Sequence, residues 1–444
     1  MPKSENRLIL ALAIPAVLQT VVKSSFTLSD AYWVGKLGSV PLAAISVATF
    51  LVWGMMSVGE MIATGTNALV AQSTGAKNNA LSAKISIINI VNAFFYSVIL
   101  GNLVVPLTPY LYDLIHLDAE QRYFADEYFH TILYGFPAFI LLSTLSAAFR
   151  GYGDTKTPFY LLMFAAILNF VLNPVFIFGI KIGDELILNY GIKGSALVSI
   201  LSYFLAFLIG FYILLKRKLA DKILSYTFDT KIISDTFKIG FPLGLNGVAF
   251  SMIYVFVASF VAEYGSTGLA ALGIGHRSES LAYQTTVGFA LAATIMVGQS
   301  IGAGLPQKAE HYTWKILKLS GAFIVAYSIF LFIFSADIAA IFSQDAGVIQ
   351  AASDYNKLAA LVLIFTAADV ILSGAFSGAG DTMPPAVISF TFNIIRIPLC
   401  FLLSPIWGLT GVWIAISFSA LLKGVAITIW FKLGKWKTRG VRIS

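Results

Sequence analysis

Apolar residues run along this chain in blocks of about 20 or more, broken by short clusters of Gly, Pro and charge, and do not alternate with polar residues at the two-residue period of a barrel strand. Breaking the sequence at those clusters predicts about twelve helical spans, near 8–35, 41–72, 83–113, 124–149, 158–180, 193–216, 236–262, 268–300, 312–342, 350–376, 384–404 and 409–432. The longest polar connection, Lys216 to Ser234, falls between the sixth and seventh spans and divides the chain in two. The first block has no small-residue cleavage site and continues to about Lys36, so it is expected to be a permanent helix and not a signal peptide.

The two parts are copies. Residues match at a constant displacement (242 − 15 = 227): Pro15 with Pro242, Gly38 with Gly265, Gln72 with Gln299, Gly75-Ala76 with Gly302-Ala303, Gly153-Asp154-Thr155 with Gly380-Asp381-Thr382, and Pro158 with Pro385. Internal repeats in an apolar chain are a mark of transporters. With an even number of spans per copy, each repeat begins on the same side of the membrane. The expected architecture is an all-α membrane protein of two homologous six-helix lobes, 1–216 and 236–444, joined by a cytoplasmic linker 217–235 and related by a pseudo-twofold along the membrane normal.

Composition agrees, with 58% hydrophobic and only 11% charged residues, values that mark an integral membrane protein. The single cysteine, Cys400, excludes a disulfide framework and a cysteine-based metal site. With both termini inside, Lys and Arg favour the inner segments by about four to one, the outer segments holding only Lys36, Arg122, Lys181, Lys193 and Lys357. That bias predicts a multi-pass protein of the cell's inner membrane with both termini cytoplasmic. It also accounts for the net charge of +7 without nucleic acid, because the basic loops face anionic lipid headgroups.

An ionisable side chain at bilayer depth costs several kcal/mol (about 2.5–3.5 at a helix centre) unless it is paired or meets water, so each one is a candidate site. The candidates are Lys23 and Asp30 in span 1, Glu60 in span 2, His276, Arg277 and Glu279 in span 8, Asp369 in span 10, Arg396 in span 11 and Lys423 in span 12. Asp30 could be a solvated residue near the outer interface, but Asn169 and Asn173, four apart and so on one side of span 5, offer it a polar face. Those asparagines could alternatively be glue between helices. Pro15, about four turns below Asp30, predicts a bend in span 1. The second copy lacks this group: Asp30 becomes Val257, Asn169 becomes Arg396 and Asn173 becomes Cys400. Its own polar network is expected from Asp369, Glu279 and Arg396, either as a site or as a buried ion network that fixes helix packing. Asp154 and Asp381 are expected to cap helices, and Glu60, Lys23 and Lys423 each either face a cavity or pair with a neighbouring helix.

Several motifs then resemble the MATE (multidrug and toxic compound extrusion) family of transporters, prokaryotic type, over nearly the whole chain. They are Ile14-Pro15-Ala16, Asp30-Ala-Tyr-Trp-Val-Gly, Val70-Ala-Gln-Ser-Thr-Gly-Ala76, Phe149-Arg-Gly-Tyr-Gly-Asp-Thr-Lys-Thr-Pro158, Leu168-Asn-Phe-Val-Leu-Asn-Pro174 and Gly275-His-Arg-Ser-Glu-Ser-Leu281. The resemblance implies two lobes around a central cleft, with export of organic, often cationic, compounds in exchange for protons or sodium by alternating access. By position, Asp30 matches the family's cation-coupling carboxylate, Tyr128 and Asn169 its polar neighbours, and Asp369 an acidic position of the carboxy lobe. The chain departs from the family pattern at Asn173, where prokaryotic relatives commonly carry Asp, and near Phe250, where some sodium-linked relatives carry Glu.

A proton or sodium at Asp30 is therefore the expected coupling ion, with no cofactor, small organic substrates and membrane lipids as partners, and a monomeric state. A lipid-linked saccharide flippase is the alternative transporter, and it would be expected to line its cavity with more basic residues than Arg396, Lys23, Lys423 and Arg277. An intramembrane enzyme is disfavoured, since no His-Glu metal spacing, paired carboxylates or activated Ser or Cys stand at depth.

Overall fold

The structure, a computed structural model, describes residues 5–114, 117–182, 184–217 and 229–440. The helices in the first half are α1 (Glu5–Val34), α2 (Ser39–Gly75), α3 (Asn79–Val104), α4 (Thr108–Leu114), α5 (Ala119–Tyr134), α6 (Phe136–Gly151), α7 (Lys156–Phe178) and α8 (Gly191–Lys216). The second half carries α9 (Thr230–Ala262), α10 (Gly265–Gly302), α11 (Pro306–Ile333), α12 (Ser335–Phe342), α13 (Ala346–Ala379), α14 (Met383–Trp407), α15 (Leu409–Lys432) and the short α16 (Trp436–Arg439). Among the described residues, ten helices are long and apolar enough to cross a membrane, and eleven if α5 and α6 form one broken span. α2, with 37 residues and Glu60 as its one charged residue, is also of spanning length.

Four features depart from twelve plain helices, the first being the expected third span, 83–113, which divides into α3, a 3-10 turn at Val105–Leu107 and α4. The expected fourth span breaks into α5 and α6, bent by 48°. Gly135 sits at the break and Pro137 follows in the first turn of α6, where its ring and missing N–H prevent a helix from running through. The expected ninth span likewise divides into α11 and α12. The connection after span 5 forms a two-stranded hairpin of β1 (Ile180–Ile182) and β2 (Glu185–Ile187), pairing Ile180 with Ile187 and Lys181 with Leu186. Its alternating β-branched and polar residues suit a strand, but six residues are too few to register against the apolar blocks on either side. Most of the expected linker, residues 218–228, lies outside the described residues, and the described chain resumes at Asp229, next to α9.

Contacts divide the chain into two compact units, Leu18–Gly244 and Leu245–Ser444 together with Met1–Val17. The division cuts α1 and α9 at equivalent points of the duplication (17 + 227 = 244), in each case two residues after the proline inside that helix, Pro15 or Pro242. The first part of each helix therefore belongs with the other repeat. Glycines make this possible. A Cβ on Gly65 of α2 would lie 2.2 Å from the Thr236 carbonyl oxygen of α9, and one on Gly288 of α10 would lie 2.6 Å from the Val17 nitrogen of α1, so both approaches are backbone to side-chain-free backbone.

Phe129, Phe136 and Phe149 are fully buried in the unit Leu18–Gly244, and Phe376, Trp413 and Phe431 in the other. Conversely Leu28, Val255 and Ile341 are 71%, 71% and 77% exposed, large apolar side chains on helix surfaces that suit hydrocarbon rather than water. The Gly153-Asp154-Thr155 motif acts as expected for a cap. Asp154 accepts from the Lys156 and Thr157 backbone N–H groups, 3.0 Å each, and from the Thr157 hydroxyl at 2.6 Å, while the Arg217 guanidinium donates to it at 2.6 Å. Burial alone would raise this carboxyl's pKa, but the Thr157 and Arg217 bonds outweigh it and hold it below the ordinary carboxylate value.

Candidate functional site

Four helices of the unit Leu18–Gly244 bring their polar residues to one carboxylate. Asp30 of α1 is 6% exposed, and Asn169 and Asn173 of α7 are completely buried. Asp30 Oδ1 accepts from the Asn173 amide at 3.0 Å and the Asn169 amide at 3.3 Å. Asp30 Oδ2 accepts from the Ser199 hydroxyl of α8 at 3.3 Å and the Tyr128 hydroxyl of α5 at 3.4 Å. The ring of contacts closes on itself: Asn169 donates to Ser199 Oγ at 2.9 Å, and Asn173 donates to Asn169 Oδ1 and Ser29 Oγ, each at 3.2 Å. The expected set of Asp30, Tyr128, Asn169 and Asn173 is thus one constellation, one turn of α7 supplying both amides.

Every donor to Asp30 is neutral, and among the described residues no Lys, Arg or His forms an ion pair with it. A carboxylate buried among neutral donors has no charge beside it to balance its own, so a proton or a small cation bound there would be stabilised. Two more oxygens are at hand for such a cation. Asn173 Oδ1 is buried without a hydrogen-bond partner, and the hydroxyl of Ser195, one turn before Ser199 in α8, lies against the Asp30 carboxylate itself. Oxygen ligands of this kind, a carboxylate with amide and hydroxyl groups, suit a hard cation. Pro174 follows Asn173 inside α7 and cannot donate to the Phe170 carbonyl, so the helix is weakened next to the site.

Ser29, Ser195 and Ser199 were not expected as members. A signal existed, since Ser195 and Ser199 stand four apart in span 6 as Asn169 and Asn173 do in span 5.

The expected carboxy-lobe network is arranged differently. Asp369 of α13 pairs with Lys423 of α15 at 2.9 Å, the two side chains being 7% and 14% exposed, and does not pair with Arg396. Glu279 of α10 accepts from the Tyr355 hydroxyl at 3.1 Å. Arg396 of α14, 4% exposed, donates from Nε to Ser419 Oγ at 3.0 Å and packs 5.5 Å from the centre of the Tyr254 ring, whose hydroxyl meets His276 Nε2 at 2.8 Å. The correction has a simple cause. Arg396 is accommodated by an aromatic face, a hydroxyl and the electrostatic attraction of Glu279 without a direct ion pair, whereas the Lys423 ammonium on its long stem reaches Asp369 from the neighbouring helix. Lys23 and Glu60, left open by the sequence, pair with each other at 2.6 Å.

The sequence matches the MatE family over residues 15–175 and again over 242–402, two matches separated by the same displacement of 227. The chain belongs to the MatE family. This is a family of transporters and not of enzymes. Among similar MatE proteins, the probable multidrug resistance protein NorM of Thermotoga maritima is 28% identical over 99% of this chain and 96% of its own length. The probable multidrug resistance protein YoeA of Bacillus subtilis is 27% identical over 90% and 88%, and a FAD transporter of Shewanella oneidensis is 26% identical over 95% and 93%. In fold, the chain is similar to a MOP superfamily transporter from Pyrococcus furiosus, with a TM-score of 0.88 and 21% identity over 97% of this chain and 96% of that one.

Proposed function

We propose that this MatE protein is a secondary active antiporter that exports organic, chiefly cationic compounds in exchange for a proton or sodium ion taken up at Asp30. The observation that carries this reading is the buried carboxylate surrounded by neutral donors only, an anionic site without a resident cation. Exchange requires that ion and substrate bind in opposition, so that each drives release of the other, and rocking of two lobes, 1–216 and 236–444, gives alternating access. The basic inner segments support an inner-membrane location with both termini and the linker 217–235 in the cytoplasm, and the chain acts as a monomer. The names of the curated relatives, multidrug resistance proteins in several bacteria, support the class of cargo.

The test is transport by purified protein in liposomes, with pH and sodium gradients imposed separately and a panel of organic cations offered. Accumulation of a cation driven by one of the two gradients, and lost in Asp30→Asn, is expected. Uptake indifferent to both gradients would overturn the antiport reading.

A further inference from the structure

The pair formed by Lys23 of α1 and Glu60 of α2 is unlike the other ion pairs inside the spans. Its side chains are 55% and 43% exposed, whereas those of Asp369 and Lys423 are 7% and 14% exposed. Lys23 stands 18 positions from the start of α1 (23 − 5) and Glu60 15 from the end of α2 (75 − 60), about 27 and 22 Å along their helices. A charged pair exposed to hydrocarbon at that depth would be strongly disfavoured, so this face meets water. The sequence of α1 agrees: Thr20, Lys23, Ser24 and Thr27 repeat at i, i+3, i+4 and i+7 and so share one polar stripe of the helix. Asp30 follows Lys23 by seven residues, so the two lie on similar sides of α1 two turns apart.

An aromatic cluster stands one turn along α1 from Lys23, beginning at Phe26. Tyr203 of α8 lies within electrostatic reach of both Glu60 and Asp30. Its ring packs against Phe26 at 4.9 Å and Phe139 at 4.5 Å between centroids. Arg150 also acts on Glu60, from farther off, with its guanidinium turned to Gln19 Oε1 at 3.5 Å. A water-exposed carboxylate whose counter-cation stands one turn from an aromatic cluster is the chemistry that receives an organic cation.

We infer that Glu60 is a substrate-binding carboxylate for an organic cation and that Lys23 is its resident counter-cation, displaced when the substrate's positive charge arrives. The inference rests on the export reading above and adds the cargo site to it. The ammonium at 2.6 Å neutralises Glu60 while the site is empty, so the protein need not hold an uncompensated charge between transport cycles. Lys23 has a flexible four-carbon stem and an exposed head, and it can leave the carboxylate for water with little reorganisation. Tyr203, within electrostatic reach of both carboxylates, links the cargo site to the coupling site in the same unit.

The experiment is equilibrium binding of a fluorescent monovalent organic cation to the purified full-length protein, in wild type, Glu60→Gln, Lys23→Gln and the double variant, with a neutral dye of similar shape as control. Glu60→Gln is expected to weaken cation binding about tenfold or more, and Lys23→Gln to tighten it about tenfold, because it removes a competitor. The neutral dye should respond to neither. Opposite signs are the signature, since a bridge that only fastens α1 to α2 would make both variants change binding in the same direction. If Glu60→Gln does not fold, Lys23→Gln still decides, as weaker or unchanged cation binding overturns the inference. Wild-type protein that binds cations with both variants unaltered overturns the cargo site and leaves the export reading standing. Wild-type protein that binds none of the cations overturns both.

Discussion

Asp30 in the unit Leu18–Gly244 and Asp369 in the unit of Leu245–Ser444 are similarly buried, 6% and 5% exposed, yet the groups that hold them differ in charge. Asp30 receives four hydrogen bonds from neutral amides and hydroxyls. Asp369 receives an ammonium, Lys423 at 2.9 Å. Neutral donors lessen the cost of burying a carboxylate but leave its charge to be balanced, so the balance can come and go with an exchangeable ion. A lysine held on the next helix balances the charge permanently, and any second cation arriving at Asp369 must displace it. The duplication makes the difference informative: counting 227 residues between the copies, Asp30 corresponds to Val257 and Asp369 to Leu142, so each carboxylate arose on one copy only. One fold was copied, and the copies now differ in how a buried carboxylate is held, by neutral donors in one and by a lysine in the other.

The comparison is most easily broken by substitution. Asp30→Asn keeps the shape and most hydrogen bonds of the side chain but cannot take up and release a cation. Gradient-driven transport should fall by about a hundredfold or more, to the leak of empty liposomes, with substrate binding and thermal melting close to wild type. Asp369→Asn should retain transport, because the group it alters does not exchange. Loss of gradient coupling in Asp369→Asn with retention in Asp30→Asn would reverse the assignment.

The fixed pair should instead show itself in stability. Lys423→Met leaves Asp369 buried without a counter-charge and should cost about 3–5 kcal/mol, read as a lower melting temperature in detergent and reduced expression. Adding Asp369→Leu should recover most of that loss, since a pair replaced by apolar side chains of similar volume leaves no charge behind. Melting of the double variant as low as that of the single one would show that Lys423 supports something other than Asp369. Arg396→Ala removes the hydrogen bond to Ser419 and the contact with Tyr254, and should destabilise more than Asp369→Asn does.

The smallest effect lies outside the spans. Asp154→Ala removes the cap of α7 and should cost about 1 kcal/mol. The folded-state pKa of Asp154 is below its unfolded value, so its stabilisation is fully present above about pH 3.9 and disappears as pH falls through the folded value. The wild-type melting temperature should therefore fall more steeply than that of Asp154→Asn below that pH. Parallel acid limbs would show that the bond to Arg217 contributes nothing.

Much of this arrangement was legible in the sequence. The apolar blocks gave the spanning helices because a membrane helix needs about 20 apolar residues and little else, and the constant displacement gave the duplication. The amino-lobe constellation was legible because Asn169 and Asn173 are rare residue types at depth and one turn apart. Ser195 and Ser199 were less visible, since serine is common in membrane helices and carries no charge to mark it. The pairing of Asp369 was not legible. Glu279, Asp369, Arg396 and Lys423 lie on four different helices, and sequence spacing gives only the face of each helix, not which faces meet. The bend at Gly135 and the division of α1 and α9 between units were hidden for the same reason: Pro15 and Pro242 mark where a helix is weak, but which helices its two ends pack against is decided by contacts such as Gly65 with Thr236.

The most direct measurement is cation release on substrate binding. Purified protein in weakly buffered detergent solution is mixed with a saturating organic cation while released protons are followed with a pH dye and released sodium with a radioactive tracer. Wild-type protein should release about one cation per chain, Asp369→Asn the same, and Asp30→Asn none while still binding the substrate. Release from Asp30→Asn equal to that of wild type would contradict the assignment of the exchangeable ion to Asp30.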